Sequence, residues 1–556
     1  MKREWIILIF KKFYKFQILI FLVVLIHTFL SLLDPYILKF LIDKAIIPKN
    51  LKLLFLLLIL LTFLLITRHL FNVISGYLYK YVGSKISFYI REIILNKFLF
   101  SSYFFFEEHT KGDILTRVNE DVASFESFLT ETLIDILINF LSVIIIYCFL
   151  FILNWKLALI TCLMLPFTPL IMEIFRKKVR KVAKEERKFS SIHLSFWENI
   201  LTGLKELRVY KMQNFLQNKF KEIAKISIDK KVKLQFFRMA SGFTGEIFST
   251  LIFFPLIFGY GSYLIFKGEF TIGGLISFHT YALRGIYPLL FLFKIPVLLS
   301  SLKASIERID EIYNLPQFKK KSIKIQKYLN LKEFKYLYFK NVSFKYKEKE
   351  ALKNLSFKIP LGKWTSIIGE IGSGKTTIAY LILKFLKPDK GDILLDEISI
   401  NDIDDELWYE NVSYAGQFPV LFNFGIEENI LMGKGKNESF YEIVKIFKIE
   451  EILKKDLKNK GEISEKLSGG EKQKICIARA IFKDSPIIIL DEVTSNMDID
   501  TEREIVEKLK EIQKNKNKTI IFISHRKLPV ILSDYIIHIS NGNLVKEGET
   551  DKFELQ

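Results

Sequence analysis

Gly369-Glu370-Ile371-Gly372-Ser373-Gly374-Lys375-Thr376-Thr377 is the stretch on which the fold turns. It follows an apolar run, Trp364–Ile368, and leads into a helix expected over 378–385. The spacing is that of a phosphate loop, G-x-x-x-x-G-K-[ST]. Glycines let backbone N–H groups approach phosphate oxygens, and a helix opening behind them adds positive potential. Lys375 then meets the β- and γ-phosphates of a nucleotide, and the Thr376 hydroxyl is a ligand for Mg²⁺. The plainer reading is a glycine-rich turn, but a strand before it and a helix after it favour the phosphate loop.

Two further stretches carry the same chemistry. Ile487-Ile488-Ile489-Leu490-Asp491-Glu492 reads as a buried strand ending in two carboxylates. Beside a phosphate loop such a pair has a specific use: Asp491 partners Mg²⁺ through water, and Glu492 polarises an attacking water. Leu467-Ser468-Gly469-Gly470-Glu471 opens a helix running to about Phe482. Ser468 and Glu471 have the spacing of a capping box, which explains both of them but not two consecutive glycines. Exposed glycines at a helix start make a second phosphate site, one without a lysine of its own. Strand-like runs at 342–344, 364–368, 393–395, 487–490 and 519–523 alternate with helical segments, which predicts an α/β domain over 331–556.

Before this domain the text changes character. The chain of 556 residues is 50% hydrophobic, with 52 phenylalanines, yet 26% of it is charged, and the two classes segregate along its length. Six apolar segments, about 16–42, 53–79, 128–153, 155–175, 243–266 and 272–302, suit membrane helices, each of which needs roughly 20 residues. Their connections alternate: short near 44–52, at Asn154-Trp155 and at 267–271, long and polar over 80–127 and 176–242. Residues 176–188 carry eight basic side chains against Glu185 and Glu186, so the long links and both termini are expected in the cytoplasm. The first apolar run is too long for a signal-peptide core and lacks a small-residue cleavage site, so it reads as a retained helix. Trp5 to Tyr14, flanked by lysines, reads as a short interfacial helix. The expected domains are a transmembrane domain over 1–315, a linker over 316–330 and the α/β domain over 331–556.

The formal charge of +20 fits nucleic-acid binding in principle, but no aromatic-basic binding module accompanies it. Positive-inside bias accounts for it instead. Three cysteines, Cys148, Cys162 and Cys476, show no C-x-x-C spacing, so neither a disulfide framework nor a zinc site is expected.

On these motifs residues 331–556 resemble the nucleotide-binding domain of the ATP-binding cassette (ABC) superfamily. The whole chain is similar to its exporter-type half-transporters: a multi-domain membrane protein with a six-helix all-α transmembrane domain plus an α/β P-loop NTPase domain. Ser468-Gly469-Gly470-Glu471 matches the superfamily's signature motif. The resemblance implies ATP and Mg²⁺ as cofactors and two cassettes stacked head to tail. Each ATP would lie between the 369–377 loop of one copy and Ser468, Gly469 and Gly470 of the other. It assigns Tyr346 to the adenine ring, Gln417 to Mg²⁺ alongside Thr376 and Asp491, and His525 to the γ-phosphate. Glu492, His525 and Gln417 form the hydrolytic set, and Asp498 crosses the dimer interface. The chain departs from the family pattern at Gly416, where proline is common, and at Ser495-Asn496-Met497-Asp498, where Ser-Ala-Leu-Asp is common. The acidic loop before the signature is reduced to Gly461-Glu462-Ile463.

The first half matches as well. Gly112-Asp113-Ile114-Leu115-Thr116-Arg117 resembles the first cytoplasmic coupling segment, and Asn154-Trp155-Lys156-Leu157-Ala158-Leu159 the turn between the third and fourth spans. Glu198-Asn199, Gly203 and Glu206 through Arg208 fit the second coupling region, and Glu307-Arg308-Ile309 the end of the sixth helix.

The expected function is ATP-driven efflux or flipping of an amphipathic substrate across the cytoplasmic membrane by alternating access. Glu492, His525, Ser468 and Gly470 are all retained, so a second copy of the chain is the expected partner, with a related half-transporter as the alternative. Membrane lipids are expected neighbours, and nucleic acid is not a partner. An exporter-shaped importer, for example of a metal chelate, is the competing direction. Six spans weigh against a cassette ATPase that acts on nucleic acid or serves as a sensor. No peptidase-like segment precedes the first span, so a peptide-processing exporter is not expected. His27, Asp34, Arg68, His69, Glu246 and Arg284 are ionisable residues in or near the spans and are candidates for substrate contact, beside the plainer readings of structural pairing and snorkelling.

Overall fold

The structure, a computed structural model, describes residues 4–101, 105, 109–164, 167–247, 254–315, 331–346, 349–458 and 467–553. The linker 316–330 and the loop 461–463 lie outside the described residues. The chain divides into two compact units, Met1–Leu95 with Gly112–Tyr313, and Asn96–Lys111 with Asn314–Gln556.

The first unit is helical. Apolar runs this long cannot leave backbone groups unpaired in hydrocarbon, and a helix pairs them within the segment. Helix α1 spans Glu4–Phe40 and α2 Leu51–Leu99. The third segment runs through α3 (Lys111–Thr116), α4 (Val122–Ser127) and α5 (Leu133–Leu153), joined by π-helical turns at Arg117–Asp121 and Phe128–Thr132. Then follow α6 (Trp155–Met164), α7 (Phe167–Thr202), α8 (Leu204–Val209), α9 (Gln213–Ile247) and α10 (Phe254–Phe266). Helices α11 (Ile272–Leu292) and α12 (Ile295–Tyr313) close the unit.

Among the described residues, four helical stretches are long and apolar enough to cross a membrane: Glu4–Ile46, Leu51–Leu99, Lys111–Leu153 and Ile272–Tyr313. The expected fourth and fifth spans are interrupted by the undescribed residues 165–166 and 248–253, with helix on both sides. The Asn154 turn is as tight as expected: its Oδ1 accepts the Leu157 N–H at 3.1 Å, and Asn154 alone separates α5 from α6. The segment 112–117 is helical, and Gly203 separates α7 from α8.

One expectation fails. Trp5 to Tyr14 is not a separate interfacial helix, because α1 continues through it without a break. No glycine or proline interrupts the sequence before Pro35. The first turns are also held within the unit: Trp5, Ile9 and Phe13 are buried, and the Trp5 indole donates to Asp310 and packs 4.9 Å from the Phe125 ring.

Pro35 lies inside α1 and has no N–H to give the Ser31 carbonyl four residues earlier. Helix α11 supplies the missing partner: Arg284 donates to the Ser31 carbonyl, Tyr281 to that of Leu32 and Ser277 to that of Pro35. Near the other end of the unit, charges cross-link α12 to the third segment. Arg308 Nε donates to Asp121 Oδ2 at 2.6 Å, and Arg117 binds Glu311 at 2.5 Å and Asp113 at 2.9 Å.

The second unit is built on two sheets. Strands β1 (Tyr336–Tyr346), β2 (Lys349–Pro360), β4 (Lys390–Leu395) and β5 (Ile398–Ser399) form an antiparallel sheet ordered β2-β1-β4-β5. The six-stranded sheet has the order β10-β9-β3-β8-β7-β6, with β3 at Trp364–Ile368, β6 at Val412–Ala415 and β7 at Ile487–Asp491. Its remaining strands are β8 (Thr519–Ile523), β9 (Tyr535–Ser540) and β10 (Asn543–Glu549). All its pairings are parallel except β9 with β10. Strands β7 and β8 are buried along their whole length, as parallel strands covered on both faces must be. Ile487 and Ile489 face one core, Ile488 and Leu490 the other, by the two-residue period of a strand. Strand β6 begins at Val412, because Asn411 ends the helix before it.

Arg308→Ala leaves the Asp121 carboxylate buried without its cation. Because Arg308 itself is half exposed, the expected loss of stability is about 2 kcal/mol. Asp121→Ala in the same chain should recover part of it. A double-mutant cycle on thermal unfolding in detergent checks this, and strict additivity of the two losses would contradict it.

Candidate functional site

Four of the five parallel strands, β3, β8, β7 and β6, end along one edge of the sheet, and the candidate residues leave from those ends. This is where open α/β sheets bind ligands. Strand β3 runs into the 369–374 loop, and helix α13 starts at Lys375 and runs to Ile382, three residues earlier than the sequence suggested. Gly369 has φ +151°, and a Cβ there would stand 2.0 Å from the Ile539 carbonyl oxygen. Gly374 has φ +102°, and a Cβ would meet Leu352 at 2.6 Å. Both positions require glycine. Lys375 Nζ lies across the loop and donates to the carbonyls of Gly369 at 2.9 Å and Glu370 at 2.7 Å. Burial holds its pKa below the ordinary lysine value, against the opposing pull of Glu492 and Asp491. Ser373 is buried with no hydrogen-bond partner for its hydroxyl, Ile371 is fully open to solvent, and Gly372 has open space where a side chain would go.

Strand β7 delivers Asp491 opposite Ile523 of β8. Its carboxylate is 1% exposed, and neither oxygen makes a hydrogen bond. The hydroxyls of Thr376 and Tyr414 approach it without reaching good hydrogen-bond geometry. Burial raises its pKa to about 6, with Glu492 adding to the rise and Thr376 and Lys375 opposing it. Among the described residues no cluster of three or more His, Cys, Asp or Glu could hold a metal alone. Asp491 with the Thr376 hydroxyl is an incomplete oxygen shell of the kind a hard cation completes with water and phosphate.

Glu492 follows with φ +50°, its N–H bonded to the Ile523 carbonyl at 2.9 Å. Its carboxylate joins the ends of two other strands: Gln417 Nε2 donates to Oε2 at 2.7 Å, and His525 Nε2 lies 2.9 Å from Oε1. Three residues expected to act together therefore meet. Gly416 also has a local reason. A Cβ there would strike the Tyr414 hydroxyl at 2.7 Å, so a larger residue needs that ring moved.

Other expected residues stand elsewhere. Tyr346 closes β1, partly exposed, with its ring 4.9 Å from Phe344. Ser468 caps helix α14 (Gly469–Phe482) in a full capping box: Glu471 N–H donates to its hydroxyl at 3.2 Å and Glu471 Oε2 accepts its N–H at 2.9 Å. The plainer reading of this pair is thus realised. Asp498 caps helix α15 (Ile499–Lys516), accepting the Thr501 N–H at 2.8 Å, and that bond holds its pKa low.

The motifs did not mark the residues that hold these loops. Arg526, next to His525, binds Glu502 at 2.7 Å and the carbonyls of Ser495 and Met497 at 2.9 and 3.1 Å. Gln473, buried on α14, donates to Ser495 at 3.1 Å and accepts the Asn496 N–H at 3.2 Å. An arginine one position after the histidine was the only available signal.

A crevice with a glycine-rich loop, a buried aspartate and a glutamate held by glutamine and histidine defines a nucleotide-hydrolysing domain of the phosphate-loop class. Residues 17–287 match the family described as ABC transporter transmembrane region, and residues 352–495 match the family ABC transporter. The chain belongs to the ABC transporters, a membrane region and an ATPase cassette fused in one exporter-type half. It is 27% identical over 523 residues to an ATP-dependent lipid A-core flippase of Haemophilus influenzae, covering 92% of this chain and 88% of that one. It is 26% identical over 541 residues to the transport/processing ATP-binding protein ComA of Streptococcus pneumoniae, covering 95% and 74%. The solved structure of a bacterial Atm1-family ABC exporter with ATP bound shares the fold, with TM-score 0.77 and 20% identity over 97% of this chain and 95% of that one.

Asp491 gives a signed expectation. Its folded pKa lies above the ordinary value, so its contribution to stability is full at low pH and is lost as pH rises through about 6. Asp491→Asn should stabilise the nucleotide-free protein at about pH 7.5, by at most about 3 kcal/mol. The gain should shrink as the pH falls to about 5 and reverse when Mg²⁺ and ATP are present. Thermal melts across pH check it, and a gain that does not vary with pH would contradict it.

Proposed function

We propose that this chain is one half of a symmetric ATP-driven pump that exports or flips an amphipathic molecule across the cytoplasmic membrane, with the cassette in the cytoplasm. On this reading residues 1–315 form the membrane domain, 316–330 the linker and 331–556 the cassette. The observation that carries the proposal is the meeting of Gln417, Glu492 and His525 beside the Lys375 loop. In the cassette, the N–H groups of 369–377 and the Lys375 ammonium bind the phosphates, and Tyr346 stacks on the adenine. Thr376, Gln417 and Asp491 would hold Mg²⁺, which supplies charge neutralisation between the phosphates when bound. Glu492 orients and polarises the attacking water, and His525 donates toward the γ-phosphate.

The second half of the site comes from a second copy. Nothing within the chain demands glycine at 469 or 470: neither has a left-handed φ, and an added Cβ would stand 3.4 Å from Asn496, ordinary contact. A bare helix start that its own chain does not need fits an ATP phosphate from outside it. Ser468, Gly469, Gly470 and Asp498 would then meet the partner's nucleotide. Closing two cassettes on ATP and parting them after hydrolysis drives the membrane half between its two openings.

The relatives' names attach lipid A-core flipping to one group and transport with processing to another. What these substrates share is amphipathic character. Asp34 in α1 accepts Arg68 of α2 at 2.7 Å and has Arg284 of α11 at 3.4 Å, so two cations share one carboxylate. The excess positive charge favours an amphiphile that carries an acidic group.

Glu492→Gln is expected to keep ATP binding while lowering turnover by roughly 100-fold or more, with nucleotide trapped in a closed dimer. Turnover near wild type would remove Glu492 from its role. The purified chain in nanodiscs should have the mass of two copies and hydrolyse ATP. An inactive monomer rescued only by a different chain would replace the homodimer with a heterodimer. Direction-resolved vesicle assays separate export from import.

A further inference from the structure

Between α1 and α2 of the membrane unit lies a cavity of about 760 Å³ that the pumping cycle leaves unused. Its position along the helices is informative. Lys12 and Phe16 of α1 stand where the polar opening gives way to the first apolar run, and Tyr77 to Glu92 of α2 stand where the second apolar run ends. Both walls thus cross from hydrocarbon-suited to water-suited sequence at the same level, a membrane–water interface. On the α2 side the lining residues recur at 77, 80, 81, 84, 85, 88, 89 and 92, one face of a helix by the three- and four-residue steps.

The chemistry of the two ends differs. Tyr77, Phe88 and Phe16 give apolar walls, with Tyr77 and Phe88 largely exposed. Lys12, Lys80 and Lys85 also line the cavity, against the single carboxylate of Glu92. Among the described residues none of the three lysines forms an ion pair. Two of them are held over aromatic faces instead: Lys12 Nζ is 3.6 Å from the Tyr89 ring centroid and Lys85 Nζ 4.4 Å from that of Tyr81. A cation–π contact fixes an ammonium without neutralising it, so its charge stays available to an anion. Individual lysines and tyrosines at an interface are ordinary anchors. Such anchors need no cavity, however, and this one has the volume of a small-molecule site.

We propose that this groove holds an anionic phospholipid, its phosphate among Lys12, Lys80 and Lys85 and its acyl chains along Phe16, Tyr77 and Phe88. Three cations to one anion select an acidic headgroup over a zwitterionic one. The apolar wall selects a lipid over a soluble phosphate. The lipid bridges α1 and α2, and the leaflet is the cytoplasmic one on the orientation proposed above.

The test uses the full chain, purified in mild detergent and exposed to phosphatidylglycerol or phosphatidylcholine. Native mass spectrometry then counts retained lipid. Wild type is expected to retain phosphatidylglycerol at least tenfold over phosphatidylcholine, and Lys12→Gln/Lys80→Gln/Lys85→Gln to lose that preference. If the triple variant does not fold, Lys80→Gln alone should lower the preference several-fold. Equal preference in wild type and variant would overturn the proposal. Displacement of the lipid by inorganic phosphate would assign the site to a soluble anion and overturn it too. A variant that falls to monomers while keeping its lipid would assign the groove to the second copy. Retention requires neither ATP nor transport, so a negative result leaves the pump reading standing.

Discussion

A carboxylate held out of water with hydroxyls rather than a cation beside it is the constraint around which the cassette is arranged. Asp491 ends one of the two strands buried along their whole length, and the hydroxyls of Thr376 and Tyr414 approach it without completing its shell. Such a group is costly in any fold, and its raised pKa expresses that cost. It persists because the surroundings are rigid. Strands β7 and β8 are fully buried, Trp364 and Phe522 stack at 5.4 Å, and each strand face feeds its own core. Lys375 does not neutralise it directly. The lysine's bonds go to the carbonyls of its own loop, which fixes the ammonium at the loop.

Much of this was legible in the sequence because it is local. A strand, a glycine turn and a helix follow each other within a few residues at 364–382, and Ser468 and Glu471 are one helical turn apart. The ends of β6, β7 and β8 could be guessed from apolar runs. That Gln417 and His525 grip opposite oxygens of Glu492 could not, since those residues lie far apart in the chain and only strand order unites them. Arg526 and Gln473 were invisible for the same reason. Both bind backbone groups of the 495–497 turn, and a carbonyl or N–H leaves no trace in residue type.

The membrane unit was legible in outline and opaque in detail. Apolar runs give spans, but a helix that is apolar all round carries no stripe to tell which face meets which neighbour. The continuity of α1 shows the difficulty. Lysines around Trp5 to Tyr14 suggested a helix lying on the membrane surface. The buried indole of Trp5, bonded to an aspartate some three hundred residues later, shows that this segment packs inside its unit instead. The π-helical turns at 117–121 and 128–132 likewise have no sequence signature that was read, yet one of them carries both Arg117 and Asp121 to α12.

Arg284 has two employments that compete. One nitrogen satisfies the Ser31 carbonyl that Pro35 abandons, and another leans on Asp34. An anion that draws the guanidinium away strips α1 of that repair, and an orphaned carbonyl in hydrocarbon costs several kcal/mol. Occupancy of the charge cluster and the straightness of α1 at its proline are therefore linked thermodynamically, each biasing the other. The link runs through one side chain, so a conformational signal there requires no relay of intermediate residues.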